Sequence, residues 1–458
     1  MKTSCPALLI AAPASGQGKT TITAALARLH ARQGRRVRVF KCGPDFLDPH
    51  WHSLASGAAV YQLDLWMTGE ADCRARLAAA AAEADLILVE GVMGLFDGQP
   101  SAADLARRFG LPVLAVVDAS AMAGTFGALA FGMQHYQKDL PWAGVLANRV
   151  ASAGHAAMLQ ASIPEAAHWL GAMLCNDTLT LPERHLGLTL ASEVPDAMAR
   201  LDAAADALQA TPLGRMELAD MQQRWGSDFS APPNQASPIN PPTSQATTLL
   251  QGKTIAIARD AAFCFIYPAN LDCLQQLGAQ LAFFSPLANQ ALPTCDALWL
   301  PGGYPELHAQ RLSASQHTRA SLAAHIAAGK PVWAECGGMM ALFDSLQTLH
   351  GQTLAQWALL PGSVTMQARL AALGPQQLAL ADGTLRGHTF HYSTTQTTMQ
   401  PLTHTARPGQ PATPTPASGE AVWQWGSVRA SYFHAWFASA PAATAALFLP
   451  QKLVALPV

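Results

Sequence analysis

The chain has 458 residues, half of them hydrophobic, which is too long for one ordinary core and implies two compact domains with ample surface to bury. Twenty-eight Lys and Arg balance thirty Asp and Glu without a basic stripe, which argues against nucleic acid as a partner. No apolar run has the length of a membrane helix, and the first residues lead into a strand-like run without a signal-peptide pattern, so a soluble, cytoplasmic protein is expected.

In chain order, a strand is predicted at residues 7–12, followed by Pro13-Ala14-Ser15-Gly16-Gln17-Gly18-Lys19-Thr20-Thr21 and a helix-compatible stretch through Leu29. Strand, Gly-rich turn and helix form the geometry that cradles phosphates. Backbone N–H groups of Ser15, Gly16, Gln17 and Gly18 face the phosphates, Lys19 reaches the outer ones, and the Thr20 hydroxyl ligates Mg²⁺. Pro13 stands where the strict motif has its first Gly. A mere turn and helix cap is the alternative, and it accounts for less of this context.

Further apolar runs at 37–42, 86–90, 113–118 and 145–148 alternate with Ala-rich helical stretches, as in a parallel sheet covered on both faces. Asp45 and Asp48 follow the second run, and Glu90 and Asp97 frame the segment after the third. The carboxyl ends of such strands are where α/β sheets bind ligands, and carboxylates there hold Mg²⁺ against phosphate oxygens. Any one of the four reads equally well as a solvated loop acid; as a group flanked by Gly and Pro they are expected near the γ-phosphate of ATP, with Asp48 and Glu90 joining Thr20 on the metal. Asn148, at the end of the fifth run, is a candidate adenine contact, with an ordinary Asn turn as its alternative.

The alternation stops near Trp225, and residues 227–248 are rich in Pro, Ser, Asn and Gln, giving expected domains at 1–225 and 252–458 joined by a linker at 226–251. Strands are predicted at 254–258, 281–284, 297–300 and 331–334, and loops at 371–377 and 401–418. Eight cysteines are scattered without a CxxC pair, so most are expected to be small buried hydrophobes. Cys336 is the exception. It stands at the corner of a strand, sharp turn and helix in Pro331-Val332-Trp333-Ala334-Glu335-Cys336-Gly337-Gly338, where the helix N-terminus is expected to stabilise its thiolate. Gly302 and Gly303, after an earlier strand, suit an oxyanion hole of backbone N–H groups. The thiol needs a proton acceptor: His434, after the run 428–433, is the first candidate, and His391 competes on local chemistry alone.

The ordered series APASGQGKTT, KCGPDFLDPHWH, VEGVMGLFDG, LPERHLGL, LPGGYPELH, AECGGMMAL, RGHTFHYS and ASYFH resembles the cobyrinic acid a,c-diamide synthase family over nearly the whole chain. The resemblance implies a P-loop, dethiobiotin-synthetase-like N-terminal domain and a flavodoxin-like class I glutamine amidotransferase domain. It also implies ATP-dependent amidation of the a- and c-acetates of a corrin ring in cobalamin biosynthesis, through an acyl phosphate, with ammonia passing between the domains. Cys336 and His434 would hydrolyse glutamine as a dyad, since Trp436 occupies the place of the acid that other class I enzymes carry two residues after His. Thr389 departs from the family pattern, which has Glu there. Glutamine, ATP with Mg²⁺ and the ring are the implied partners, and a homodimer is a compatible assembly. The alternatives are amidation of nickel sirohydrochlorin or of cobyric acid side chains, and a P-loop ATPase with a non-catalytic second domain.

Overall fold

The computed structural model describes residues 4–184, 187–230, 248–409 and 419–450. The chain divides into two compact units, Met1–Pro241 and Pro242–Val458.

In the first unit, β1 (Ser4–Ala11), β2 (Val37–Cys42), β3 (Tyr61–Leu63), β4 (Leu86–Glu90), β5 (Val113–Asp118), β6 (Trp142–Val150) and β7 (Trp169–Leu174) form a parallel sheet in the order β3-β2-β4-β1-β5-β6-β7. The central strands are apolar through their interiors because both faces are covered, with Glu90 and Asp118 at the carboxyl ends of β4 and β5. Leu9, Val89 and Ala115 point into one core, and Leu8, Leu88 and Leu114 into the other, the period-two alternation of a strand. Helix α1 (Lys19–Arg32) follows β1, and α2 (Asp48–Ser56) follows β2. A short hairpin, β8 (Glu183–Arg184) with β9 (Gly187–Leu188), falls in the LPERHLGL segment, of which residues 185 and 186 lie outside the described residues. β10 (Gly226–Asp228), expected to be linker, instead pairs antiparallel with Ser4 to Pro6 and extends the first unit. Residues 231–247 of the expected linker lie outside the described residues.

In the second unit, β11 (Thr254–Ala258), β12 (Gln280–Phe284), β13 (Ala297–Leu300) and β14 (Val332–Glu335) run parallel. Three smaller strands, β15 (Ser345–Gln347), β16 (Thr353–Ala355) and β17 (Ser363–Met366), come next, then β18 (Ala372–Leu380), β19 (Gly383–His391), β20 (Ser393–Gln396) and β21 (Pro401–His404). The chain ends its strands with β22 (Ala421–Trp425), β23 (Val428–Ser431) and β24 (His434–Trp436). The main sheet has the order β12-β11-β13-β14-β23-β22-β21, with β22 and β21 antiparallel. Its parallel part has the flavodoxin-like order 2-1-3-4-5, and ligands bind such sheets beyond the strand carboxyl ends.

Two expected loops are corrected. Residues 371–377 enter β18, which pairs with β19 from Ala372↔His391 to Leu380↔Gly383; the alternation that buries Gln376 and Leu378 carries no charge and so resembles a loop in composition. The expected loop at 401–418 opens with β21, while residues 410–418 lie outside the described residues.

Candidate active sites

The first site surrounds the turn between β1 and α1. Gly18 has φ +95°, and a Cβ there would collide with the amide nitrogen of Asn148, so the turn requires glycine on two counts. Asn148 Nδ2 donates to the Gln17 carbonyl at 2.9 Å, and the Asp118 N–H donates to Gln17 Oε1 at 2.8 Å. The ends of β5 and β6 thus fix the phosphate loop, with one donor of the Asn148 amide, the candidate adenine contact, on the loop backbone. Lys19 Nζ donates to the carbonyls of Ala14 at 3.2 Å and Met93 at 2.7 Å. Burial lowers its pKa, while Glu90, Asp48 and Asp97 act in the opposite sense.

The four acids do different things. Glu90 is buried at the end of β4, where Oε1 accepts from Thr20 Oγ1 at 2.8 Å and from Lys41 Nζ at 3.1 Å, and Oε2 pairs with His52 Nε2. Burial works against its charge, but Lys41 and His52 outweigh that and hold its pKa well below the usual carboxylate range. Asp48 Oδ2 lies 2.8 Å from Lys41 Nζ. Asp45 Oδ1 accepts from the N–H groups of Leu47 at 2.8 Å and Asp48 at 3.2 Å, which caps the start of α2 and aims Asp48. Its second oxygen is 3.6 Å from Lys41. Asp97 Oδ2 accepts from the Gly94 N–H at 2.9 Å, closing the turn that presents Met93 to Lys19.

At the centre of this cluster stands Lys41, which sequence reasoning missed along with His52. Burial disfavours its ammonium, yet Asp48, Glu90 and Asp45 keep its pKa well above ordinary. The signal was a lysine at the penultimate position of β2, with His52 one helical turn beyond Asp48. Among the described residues no group of three His, Cys, Asp or Glu side chains is arranged as an all-protein metal site. The Thr20–Glu90 contact suits an ion that also takes water and phosphate oxygens, as Mg²⁺ does.

The second site lies beyond β13, β14 and β23. The register Glu335↔Ser431 and the bond from the Cys336 N–H to the Ser431 carbonyl, 2.7 Å, bring the ends of β14 and β23 level. Cys336 adopts φ +44°, ψ −108°, a strained corner for a non-glycine residue. The glycines around it serve close approach: a Cβ on Gly337 would stand 2.9 Å from the nitrogen of Gly303, and one on Gly302 would collide with the His434 ring. The structure therefore gathers Cys336, the Gly302-Gly303 pair and His434.

The thiol differs from expectation. Burial, then Glu306, pushes its pKa up, because the helix after it, Gly337–Met340, is a single turn and offers little dipole against desolvation. His434 is buried too, and burial with the nearby His388 and His391 holds its pKa well below 6.5. Its ring centroid is 5.0 Å from that of His388, which is itself held at about 3 by burial and bonded to Tyr267 Oη at 2.9 Å. Thiol and imidazole therefore rest neutral.

Comparison with known proteins agrees with this geometry. Residues 8–188 match the CobQ/CobB/MinD/ParA nucleotide binding domain, and residues 254–442 match the CobB/CobQ-like glutamine amidotransferase domain. A hydrogenobyrinate a,c-diamide synthase from Pseudomonas aeruginosa is 55% identical, with 98% of each chain covered. One of the same name from Stutzerimonas stutzeri is 55% identical over 98% of this chain and 99% of its own. A cobyrinate a,c-diamide synthase from Herminiimonas arsenicoxydans is 49% identical over 97% of both. The chain belongs to the a,c-diamide synthase family.

In the second unit, His391 is tied into a wall. Its Nδ1 meets the Ser393 carbonyl at 2.8 Å, its Nε2 meets Glu420 at 3.1 Å, and its ring stacks on Tyr432 at 3.7 Å between centroids. Thr389, where the family pattern has Glu, donates to the same Glu420 oxygen at 2.7 Å, so a distant residue brings a carboxylate to that place. These residues line a cavity of about 450 Å³ that also takes in Gln376, Arg407 and Trp423. Of the eight cysteines only Cys175 is exposed, as expected for buried small hydrophobes. No helix among the described residues is long and apolar enough to cross a membrane.

Proposed function

We propose that this protein amidates the a- and c-acetate carboxylates of hydrogenobyrinate, or of its cobalt-bearing counterpart, with ATP and with ammonia from glutamine, as a cytoplasmic carbon–nitrogen ligase. The metal-free ring comes first because both relatives at 55% identity carry its name. The observation that carries the reading is the strained Cys336 corner, with His434 and the Gly302-Gly303 pair at adjoining strand ends, in a chain whose other unit holds Lys19 and Thr20 on a phosphate loop.

In the first unit the ring carboxylate attacks the γ-phosphorus of ATP, ADP leaves, and an acyl phosphate forms. Ammonia then adds to the acyl carbon and phosphate departs. The N–H groups of the phosphate loop and the ammonium of Lys19 offset charge on the phosphoryl oxygens. Thr20 and Glu90 would hold Mg²⁺, which when bound neutralises charge shared between the outer phosphates. Asp48, expected on the same metal, lies 2.8 Å from Lys41, while burial and then Asp45 push its pKa well up; Asp45, Asp97 and Asn148 shape the loops.

In the second unit His434 takes the proton of Cys336 as sulfur bonds to the amide carbon of glutamine, and the Gly302-Gly303 backbone receives the oxyanion. The imidazolium returns the proton to departing ammonia, and water releases glutamate from the thioester. Glutamine is a zwitterion, and the cavity bordered by His391 and Tyr432 carries Arg407 as a cation for its carboxylate and Glu420 as an anion for its ammonium, with Glu420 and Tyr432 close enough to interact electrostatically with the Cys336 thiol. The test is mass spectrometry of the ring incubated with enzyme, glutamine and Mg-ATP. Two successive exchanges of OH for NH₂ support the reading; an unchanged ring rejects it.

A further inference from the structure

Resting on the reading of Cys336 and His434 as the glutaminase pair, we infer that Glu335 is the positioning acid for His434. The residue just before the nucleophile thereby supplies what other class I enzymes take from two residues beyond His. Glu335 ends β14 with its side chain buried. One carboxylate oxygen is fixed, accepting from Trp333 Nε1 at 2.7 Å and from the Ala435 N–H at 3.3 Å. The second oxygen lies 4.0 Å from His434 Nδ1. The bond to Ala435, the neighbour of His434, ties the carboxylate to the strand that carries the imidazole. At the usual place of the acid, Trp436 is buried and packs against Tyr267, with 5.1 Å between centroids.

Stability gives no reason to bury a carboxyl here, since apolar residues would fill the space without a desolvation penalty. Catalysis does. When Cys336 yields its proton, an imidazolium forms where burial, His388 and His391 all oppose positive charge. A carboxylate receiving Nδ1–H offsets that charge and keeps the Nε2 lone pair directed to the thiol. Closure from 4.0 Å to hydrogen-bond range is the tightening expected on substrate binding.

Only ionised Glu335 can do this, and burial raises its pKa to about 8 against the N–H groups of Trp333 and Ala435. The other titratable groups facing the pair are His388 and His391 around the imidazole, and Glu306, Glu420 and Tyr432 around the thiol. His388 and His434 are held low and Cys336 and Tyr432 high, so glutamine-dependent turnover should rise with pH as Glu335 ionises.

The experiment compares the full-length parent, Glu335→Gln, Trp333→Phe and Cys336→Ala, each assayed from pH 6 to 9 with glutamine and with ammonium salts. Glu335→Gln should lower glutamine-dependent kcat by about tenfold or more with little change in KM, flatten its rise toward pH 8, and leave ammonium-dependent synthesis at the parent rate. Trp333→Phe keeps the carboxylate but removes a donor to it, so its pH profile should shift upward; this readout serves if Glu335→Gln does not fold. A parent-like profile in whichever of these variants folds overturns the assignment, and so does parallel loss of both activities. Cys336→Ala reports separately on the underlying reading: if it keeps glutamine-dependent synthesis, the pair itself is wrong.

Discussion

In the first unit a buried Lys41 sits among Asp45, Asp48 and Glu90, with Lys19 beside them, so its site is dense in opposed charges held by ion pairs. In the second, Cys336 and His434 are equally buried but rest neutral, with burial acting against charge on both. The difference follows from the chemistry. Phosphoryl transfer begins with a polyanion, and fixed cations with carboxylate partners accommodate it with little reorganisation. Thioester formation begins and ends without net charge, so a dry neutral pair suffices if a counter-charge is available for the transient imidazolium.

The largest test of this division is Cys336→Ala. Glutamine-dependent synthesis should fall about a thousandfold or more, because no second nucleophile replaces the thiol, while ammonium salts still support amidation in the other unit. His434→Ala should give the same pattern. Lys19→Ala should do the reverse, abolishing synthesis from either nitrogen source while glutamine hydrolysis continues; coupled assays of ADP and glutamate separate the two.

Lys41→Met should cost roughly 3–5 kcal/mol of stability, since it strands buried carboxylates without their cation. Denaturant unfolding measures it, and a neutral result would show that the charged cluster is not held as the ion pairs imply. In the second unit stability should fall as pH rises through the Glu335 titration. Glu335 has a folded pKa near 8 against about 4.5 for a free carboxyl, so its stability contribution is full below 4.5, declines as pH rises, and is lost once pH passes 8. Thermal unfolding of Glu335→Gln should lack that decline.

The smallest effect is expected at His391, which forms part of the cavity wall through Glu420, Ser393 and Tyr432. His391→Asn should raise the KM for glutamine by about two- to tenfold with kcat nearly unchanged. A collapse of kcat with retained KM would move the base role from His434 to His391.

By itself the sequence determined the two α/β units, the Gly-rich turn before Lys19 and the sharp corner at Cys336, because these depend on local features: apolar runs of strand length, glycines at forced turns, and Lys19 or Cys336 at fixed offsets from a strand end. Tertiary structure decided what depends on distant partners. Composition marked residues 371–377 as loop, but pairing with β19 makes them strand, and contact with β1 turns Gly226–Asp228 from linker into sheet. Asn148, a candidate nucleotide contact, gains a second partner in the Gln17 backbone, and Lys41 and His52 drew no notice until the sheet brought them to Glu90. His434 is the first choice in the chain but local chemistry does not separate it from His391, whereas folding ties His391 to Glu420 and sets His434 against Gly302. Local spacing specifies backbone geometry within a few residues, but which charges meet across 40 to 100 residues is set by strand order, and that order is a property of the packed sheet.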